Sequence, residues 1–304
     1  MTSTGFLSVF APSFALGGPV LLGLWGVLRS RGQPRAASSS PAWDWKLILA
    51  SMLLYALSFS LIFFVQELFL VLPKAFTPGL RPTLFHNNHN WDGDNPLAKL
   101  FQGTGALATL ILAALCACWL KRCPPRSALW RMFALWMVFH GCYQALPQFV
   151  VGAIFPGNDV GMAMEYLQWS AATKTVAALL AMALIVWIAV RLLRPLLSLA
   201  AQADEIATPG RRAGFVFRVA TLPGLLALPL IIAMRVPGSL DQVAIVPVAE
   251  YVIGLWWMQA AAWFAIPARA GETAPVRSLA VPLLALIALT LIFHLILRPG
   301  IAFY

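Results

Sequence analysis

Apolar runs of close to twenty residues recur along the whole chain, and nothing constrains its fold more strongly. A helix of that length spans about 30 Å, the hydrocarbon thickness of a bilayer. Eight such helices are expected, over about 7–29, 47–73, 98–120, 127–155, 173–193, 214–234, 243–266 and 278–297. Pro/Gly/Ser-rich or basic connectors separate them, among them RSRGQPRAASSSP and KRCPPR. The fold expected is an all-α polytopic transmembrane helical bundle forming a single integral membrane domain over residues 1–304. A mean hydropathy of +0.81 and a charged fraction of 11% exclude an ordinary soluble domain, in which about a quarter of residues are charged. No internal repeat is visible, so the sequence lends no support to an inverted-repeat transporter.

The net charge of +10 follows from the same architecture and requires no nucleic acid. Fifteen of the 21 Lys and Arg residues lie after spans 1, 3, 5 and 7, and six lie at the other ends. By the positive-inside rule the fifteen face the cytoplasm and both termini are extracytoplasmic, the expected setting being a bacterial inner (plasma) membrane. Arg29 and Arg31 follow the first apolar run, as in a retained span rather than a removed signal peptide. The four cysteines, Cys116, Cys118, Cys123 and Cys142, match neither a zinc motif nor a disulfide framework, and packing roles are expected.

Against this apolar background one stretch is dense in polar groups. HNNHNWDGDNP, His86 to Pro96, falls between the second and third spans. A second polar loop, FPGNDVGMAMEYLQW, falls between the fourth and fifth, at the same end of the bundle. Polar residues inside the spans also favour that half: Glu67, then His140, Gln144 and Gln148 at i, i+4, i+8, then Gln102, Glu250 and His294. Ionisable groups in a membrane usually face a bundle interior or a wet cavity, so an outward-opening polar chamber roofed by the two loops is expected. Each residue also has a plainer reading. Asn95-Pro96 suits a helix start, Asn158 or Asp159 suits the cap of a short interfacial helix with Val160, Met164 and Leu167 as its apolar stripe, and single Gln or His residues often bond neighbouring helices.

His86-x-x-His89 places two imidazoles on one face if the segment is a helical turn, and a carboxylate then completes a site for a divalent transition metal such as zinc. The expected ligands are His86, His89 and Asp159, with Glu67 and His140 as candidate catalytic groups. GNDVG, Gly157 to Gly161, is similar to the Asp-Gly segment that supplies the third zinc ligand in site-2 proteases. The likeness covers a handful of residues and departs at the zinc ligands, since QELFL (Gln66 to Leu70) keeps a glutamate and lacks both histidines. Asp92-Gly93-Asp94-Asn95 is not a calcium loop, because the glycine comes too early and no Glu follows at the twelfth position.

Three functions are compatible with these residues. One is a metal-dependent hydrolase or transferase acting on a lipidic or membrane-delivered substrate. Another is a proton- or ion-coupled transporter with Glu67, His140 and Glu250 as a relay. The third is a non-catalytic subunit docking a membrane protein partner through its outer loops.

Overall fold

The computed structural model describes residues 3–31, 43–124 and 126–304. Each expected span is a helix or a helix with a short irregularity. They are α1 (Ser3–Ser30), α2 (Trp45–Ala75), α3 (Leu97–Phe101) running into α4 (Thr104–Arg122), α5 (Ala128–Ile154) and α7 (Ala171–Leu197), with the short α6 (Asp159–Tyr166) between the last two. Then come α8 (Pro209–Val216) continuing into α9 (Leu222–Arg235), α10 (Val246–Ala261) and α11 (Ala280–Leu291). Single π-helical stretches, Phe217–Thr221, Asp241–Ile245 and Ile292–Leu297, join α8 to α9, lead into α10 and extend α11. Such π turns are rare and recur at functional positions.

Among the described residues seven helical segments are long and apolar enough to cross a membrane. The remaining long helix, α5, has 27 residues, but Arg131, His140, Gln144 and Gln148 lower its hydropathy. It can carry them because it lies at the centre, packed against α2, α4 and α7. The helices differ sharply in enclosure: 72% of the most apolar window of α2 is buried in the protein, against 11% for α1. Gly141 permits a close crossing of α5 with α4. A Cβ there would stand 2.7 Å from the Thr109 carbonyl and 2.8 Å from the Ala113 Cβ of α4.

Local chemistry explains several helix starts. Asp44 caps α2 by accepting from the Leu47 amide at 3.0 Å, and Ser170 caps α7 by accepting from Thr173 at 3.2 Å. Thr208 does the same for α8, with Pro209 in the first turn where no amide is needed. Asn95 accepts from the Leu97 amide at 3.1 Å as α3 begins, and α6 starts after Asn158 with Val160 and Met164 buried, whereas Leu167, expected on the same apolar stripe, is exposed just past the helix.

The His86–His89 segment is not a helical turn. β1 (Arg81–Leu84) and β2 (His89–Asp92) form an antiparallel hairpin with Leu84 opposite His89, and the Phe85 amide donates to the Asn88 carbonyl at 2.9 Å to close the turn. The turn therefore carries His86 and the strand carries His89. A third strand, β3 (Ile301–Ala302), pairs antiparallel with β1, giving the order β2-β1-β3 over one end of the bundle. Gly93, at φ +109°, lets the chain leave β2 hard against the Gly79 carbonyl, where a side chain has no room.

Candidate functional site

The hairpin lays His89 over the C-terminal turns of α2. Its Nδ1 lies 2.8 Å from Glu67 Oε2, its Nε2 lies 3.0 Å from Gln102 Oε1, and the Glu67 and His89 side chains are each 8% exposed. Lys74, two turns beyond Glu67 on α2 and fully buried, donates to the same Gln102 oxygen at 3.0 Å and sits 4.3 Å from the centre of the Trp91 ring.

These contacts fix the protons. Lysine can only donate, so the Gln102 atom facing Lys74 is the amide oxygen. His89 Nε2 faces that oxygen and must carry a hydrogen. His89 Nδ1 and Glu67 then share the one remaining labile proton, either as carboxylic acid and neutral imidazole or as carboxylate and imidazolium. Asp159, at the start of α6, is within electrostatic reach of Glu67, His89 and Lys74. Burial raises its pKa to about 6, the Glu67 charge adds to the rise, and His89 and Lys74 oppose it.

A second carboxylate–imidazole pair lies deeper. His140 of α5 places Nδ1 2.5 Å from Glu250 Oε1 of α10, with both side chains almost fully enclosed. The His140 ring packs on Tyr55, with centroids 4.3 Å apart, and on Phe59 at 5.5 Å. Tyr55 and Phe59 precede Glu67 by eight to twelve residues of α2, so the two pairs stand about 12–18 Å apart along the helix axis. Amides fill the interval. Gln148 donates to Gln66 Oε1 at 3.0 Å and to the Gln144 carbonyl at 2.9 Å, and Gln144 donates to the Phe59 carbonyl at 3.2 Å. Arg235, at the end of α9, lies within electrostatic reach of both Glu67 and Glu250. Its guanidinium carbon is 3.8 Å from the Phe63 ring centre and its Nε donates to the Gln242 carbonyl at 2.6 Å.

The sequence-derived residues therefore divide. Glu67, His89 and Asp159 come together, His140 joins Glu250 instead, and His86 stays apart. His86 is buried in the hairpin turn, 5.8 Å from the His294 ring, and neither of its ring nitrogens has a hydrogen-bond partner. Its neighbour Asn87 anchors the turn by donating to the Arg235 and Pro237 carbonyls at 3.0 and 2.7 Å. Both ring nitrogens of His89 are taken, by Glu67 and Gln102, so the residues as placed do not fit a zinc site on His86, His89 and Asp159. Among the described residues no three His, Cys, Asp or Glu side chains gather to hold a metal ion.

The polar groups also pack against one another rather than line the expected chamber. A cleft of about 220 Å³ lies at the opposite end, among Gly26, Arg29, Ser30, Pro209, Trp263 and Phe264. The opposite half of the bundle is not uniformly apolar either. Thr221 donates to Gln259, Gln259 to the Ala213 carbonyl, and Ser51 to the Val219 carbonyl, which closes these groups locally.

Sequence reasoning missed Lys74, which reads as an interfacial flank. Its signal was the i+7 spacing from Glu67, two turns along one face of α2. Arg235 was missed for the same reason. No protein-family model, curated protein or solved structure matches the chain.

Proposed function

We propose that this integral membrane protein is a proton-coupled carrier, in which Glu67–His89 is the entry site for protons and His140–Glu250 the inner one. The observation that carries the reading is the repetition of one chemical unit, a carboxylate on an imidazole Nδ1, at two depths of the same helix-lined track. Paired ionisable groups inside a membrane are costly to keep and mark proton or ion pathways. The order of groups is consistent with entry from the hairpin end. Asp159, with its pKa near 6, stands at the rim, Glu67–His89 lies next, and His140–Glu250 lies at mid-bundle. Beyond it, Ser51 and the Val219 carbonyl close the way. By the positive-inside rule the hairpin end faces out. A hydrolase built on a His86–His89–Asp159 metal is the weaker reading, because His89 has no free nitrogen to offer.

The test is a pH jump applied to proteoliposomes adsorbed on a solid-supported membrane. Protons moving partway through the bilayer displace charge, which registers as a transient current even with no cargo present. The wild-type protein should give this current, Glu250→Gln should lose most of it, and His89→Gln should slow it. A wild-type signal equal to that of protein-free liposomes would remove the carrier reading.

A further inference from the structure

Ten buried side-chain polar atoms among the described residues have no hydrogen-bond partner, and four of them belong to one neighbourhood: Tyr55 Oη, His140 Nε2, Gln144 Oε1 and Glu250 Oε2. Tyr55 packs on His140, His140 bonds Glu250, and Gln144 lies beside Glu250 one turn from His140. Three helices, α2, α5 and α10, thus bring four unsatisfied groups into one neighbourhood around the His140–Glu250 contact. Buried polar groups are nearly always paired, so a concentration of this kind calls for a guest.

The chemistry of the four atoms selects the guest. The Gln144 amide nitrogen donates to the Phe59 carbonyl and faces the Glu250 carboxylate, so its free atom is the oxygen, an acceptor. Glu250 Oε2 is a carboxylate oxygen. If Nδ1 of His140 holds the hydrogen shared with Glu250, its Nε2 is an acceptor too, and the Tyr55 hydroxyl can accept. Four acceptors suit a small cation with four donors. The wall is aromatic: Tyr55, Phe59, Trp136 and Phe139 all pack around His140, and ring faces attract ammonium ions. Three of the four acceptors are oxygens, which hard cations also take, so the imidazole nitrogen and the aromatic wall are what favour ammonium over an alkali ion. Charge points the same way. When the pair gives up its proton, the Glu250 carboxylate is left deep in the bundle, and Arg235 is held on Phe63 and the Gln242 carbonyl instead of on it.

We propose that Tyr55, His140, Gln144 and Glu250 form a binding site for a small ammonium-class cation, taken up in exchange for the proton of the His140–Glu250 pair. The proposal rests on the carrier reading and names its cargo. One cation enters as one proton leaves, so the charge of the site is conserved and only hydrogen bonds are remade.

Calorimetric titration of the full chain in lipid nanodiscs tests it, with ammonium chloride, potassium chloride and sodium chloride at matched ionic strength. Ammonium should give saturable binding and the other two none. Competition with the proton should weaken the apparent affinity by about tenfold for each pH unit of acidification below the pKa of the site. Glu250→Gln should abolish binding. Tyr55→Phe, which keeps the ring and removes only the hydroxyl, should weaken it by about tenfold, as for one lost hydrogen bond to a charged group. Wild-type protein that treats ammonium and potassium alike, or Tyr55→Phe protein that binds like wild type, overturns the site. The two ideas fail separately. Proton-jump currents without ammonium binding remove the cargo and leave the carrier, and ammonium binding without such currents does the reverse.

Discussion

Lys74 is the residue on which the proton inventory of the hairpin end depends. Buried completely, it holds the Gln102 amide with its oxygen toward His89, and that oxygen forces a hydrogen onto His89 Nε2. Lys74→Met keeps the length and apolar stem of the side chain and removes the donors. The Gln102 amide is then free to turn over, and 15N NMR of labelled histidine should show His89 Nε2 passing from protonated to a mixture of protonated and unprotonated forms. A His89 spectrum unchanged in the variant would mean that Lys74 does not set the protonation of Nε2. None of this was legible from sequence, because a lysine at the end of an apolar run reads as an interfacial anchor. Glu67 and His89 were legible, since a glutamate inside a span and a histidine in a roofing loop both stand out against apolar surroundings.

At the scale of elements, the hairpin is where sequence and structure part. His86-x-x-His89 fits a helical turn as well as a strand, and β1 becomes the middle of a sheet only because β3 arrives from the far end of the chain. No local pattern carries that information. The helices were legible because each contains its own signal in length and apolarity, down to Asn95 at the start of α3.

The hairpin also gives a pH dependence. Burial lowers the pKa of His86, and the neighbouring His294, Arg235 and Arg298 lower it further. The docked turn thus favours neutral His86. Its docking is fully stable above the ordinary histidine pKa of about 6.5 and weakens as the pH falls below that toward the lowered value, because the undocked turn binds the proton more readily. The protection of the amides of residues 81–92, taken as the exchange rate relative to the intrinsic rate at each pH, should fall between pH 7.5 and pH 5.5, conditions bracketing that ordinary pKa. His86→Gln should flatten the difference, and an exchange rate that follows only the intrinsic chemistry would count against the latch.

For the whole molecule, the crossing of α4 and α5 at Gly141 is one place where the bundle leaves no room for a side chain. At Gly141 an added methyl meets backbone and a neighbouring Cβ, neither of which can turn aside. Gly141→Ala should cost about 1–3 kcal/mol, as overpacking does elsewhere. Gly214→Ala on α8, where nothing lies within 4 Å, should be neutral or gain about 0.5–1 kcal/mol from helix propensity. Denaturation in mixed micelles measures both, and equal melting behaviour of the two variants would contradict a tight crossing.

The glutamines between the two carboxylate–imidazole pairs have one more consequence. Near neutral pH a carboxamide neither gives up nor takes on a proton, so Gln66, Gln148 and Gln144 insulate where a file of water would conduct. A bundle wired in this way resists passive discharge of a gradient. In the proposed carrier the inner pair would exchange protons with the hairpin-end pair only as helices shift, which would tie each elementary charge that crosses to a mechanical cycle rather than to an open leak.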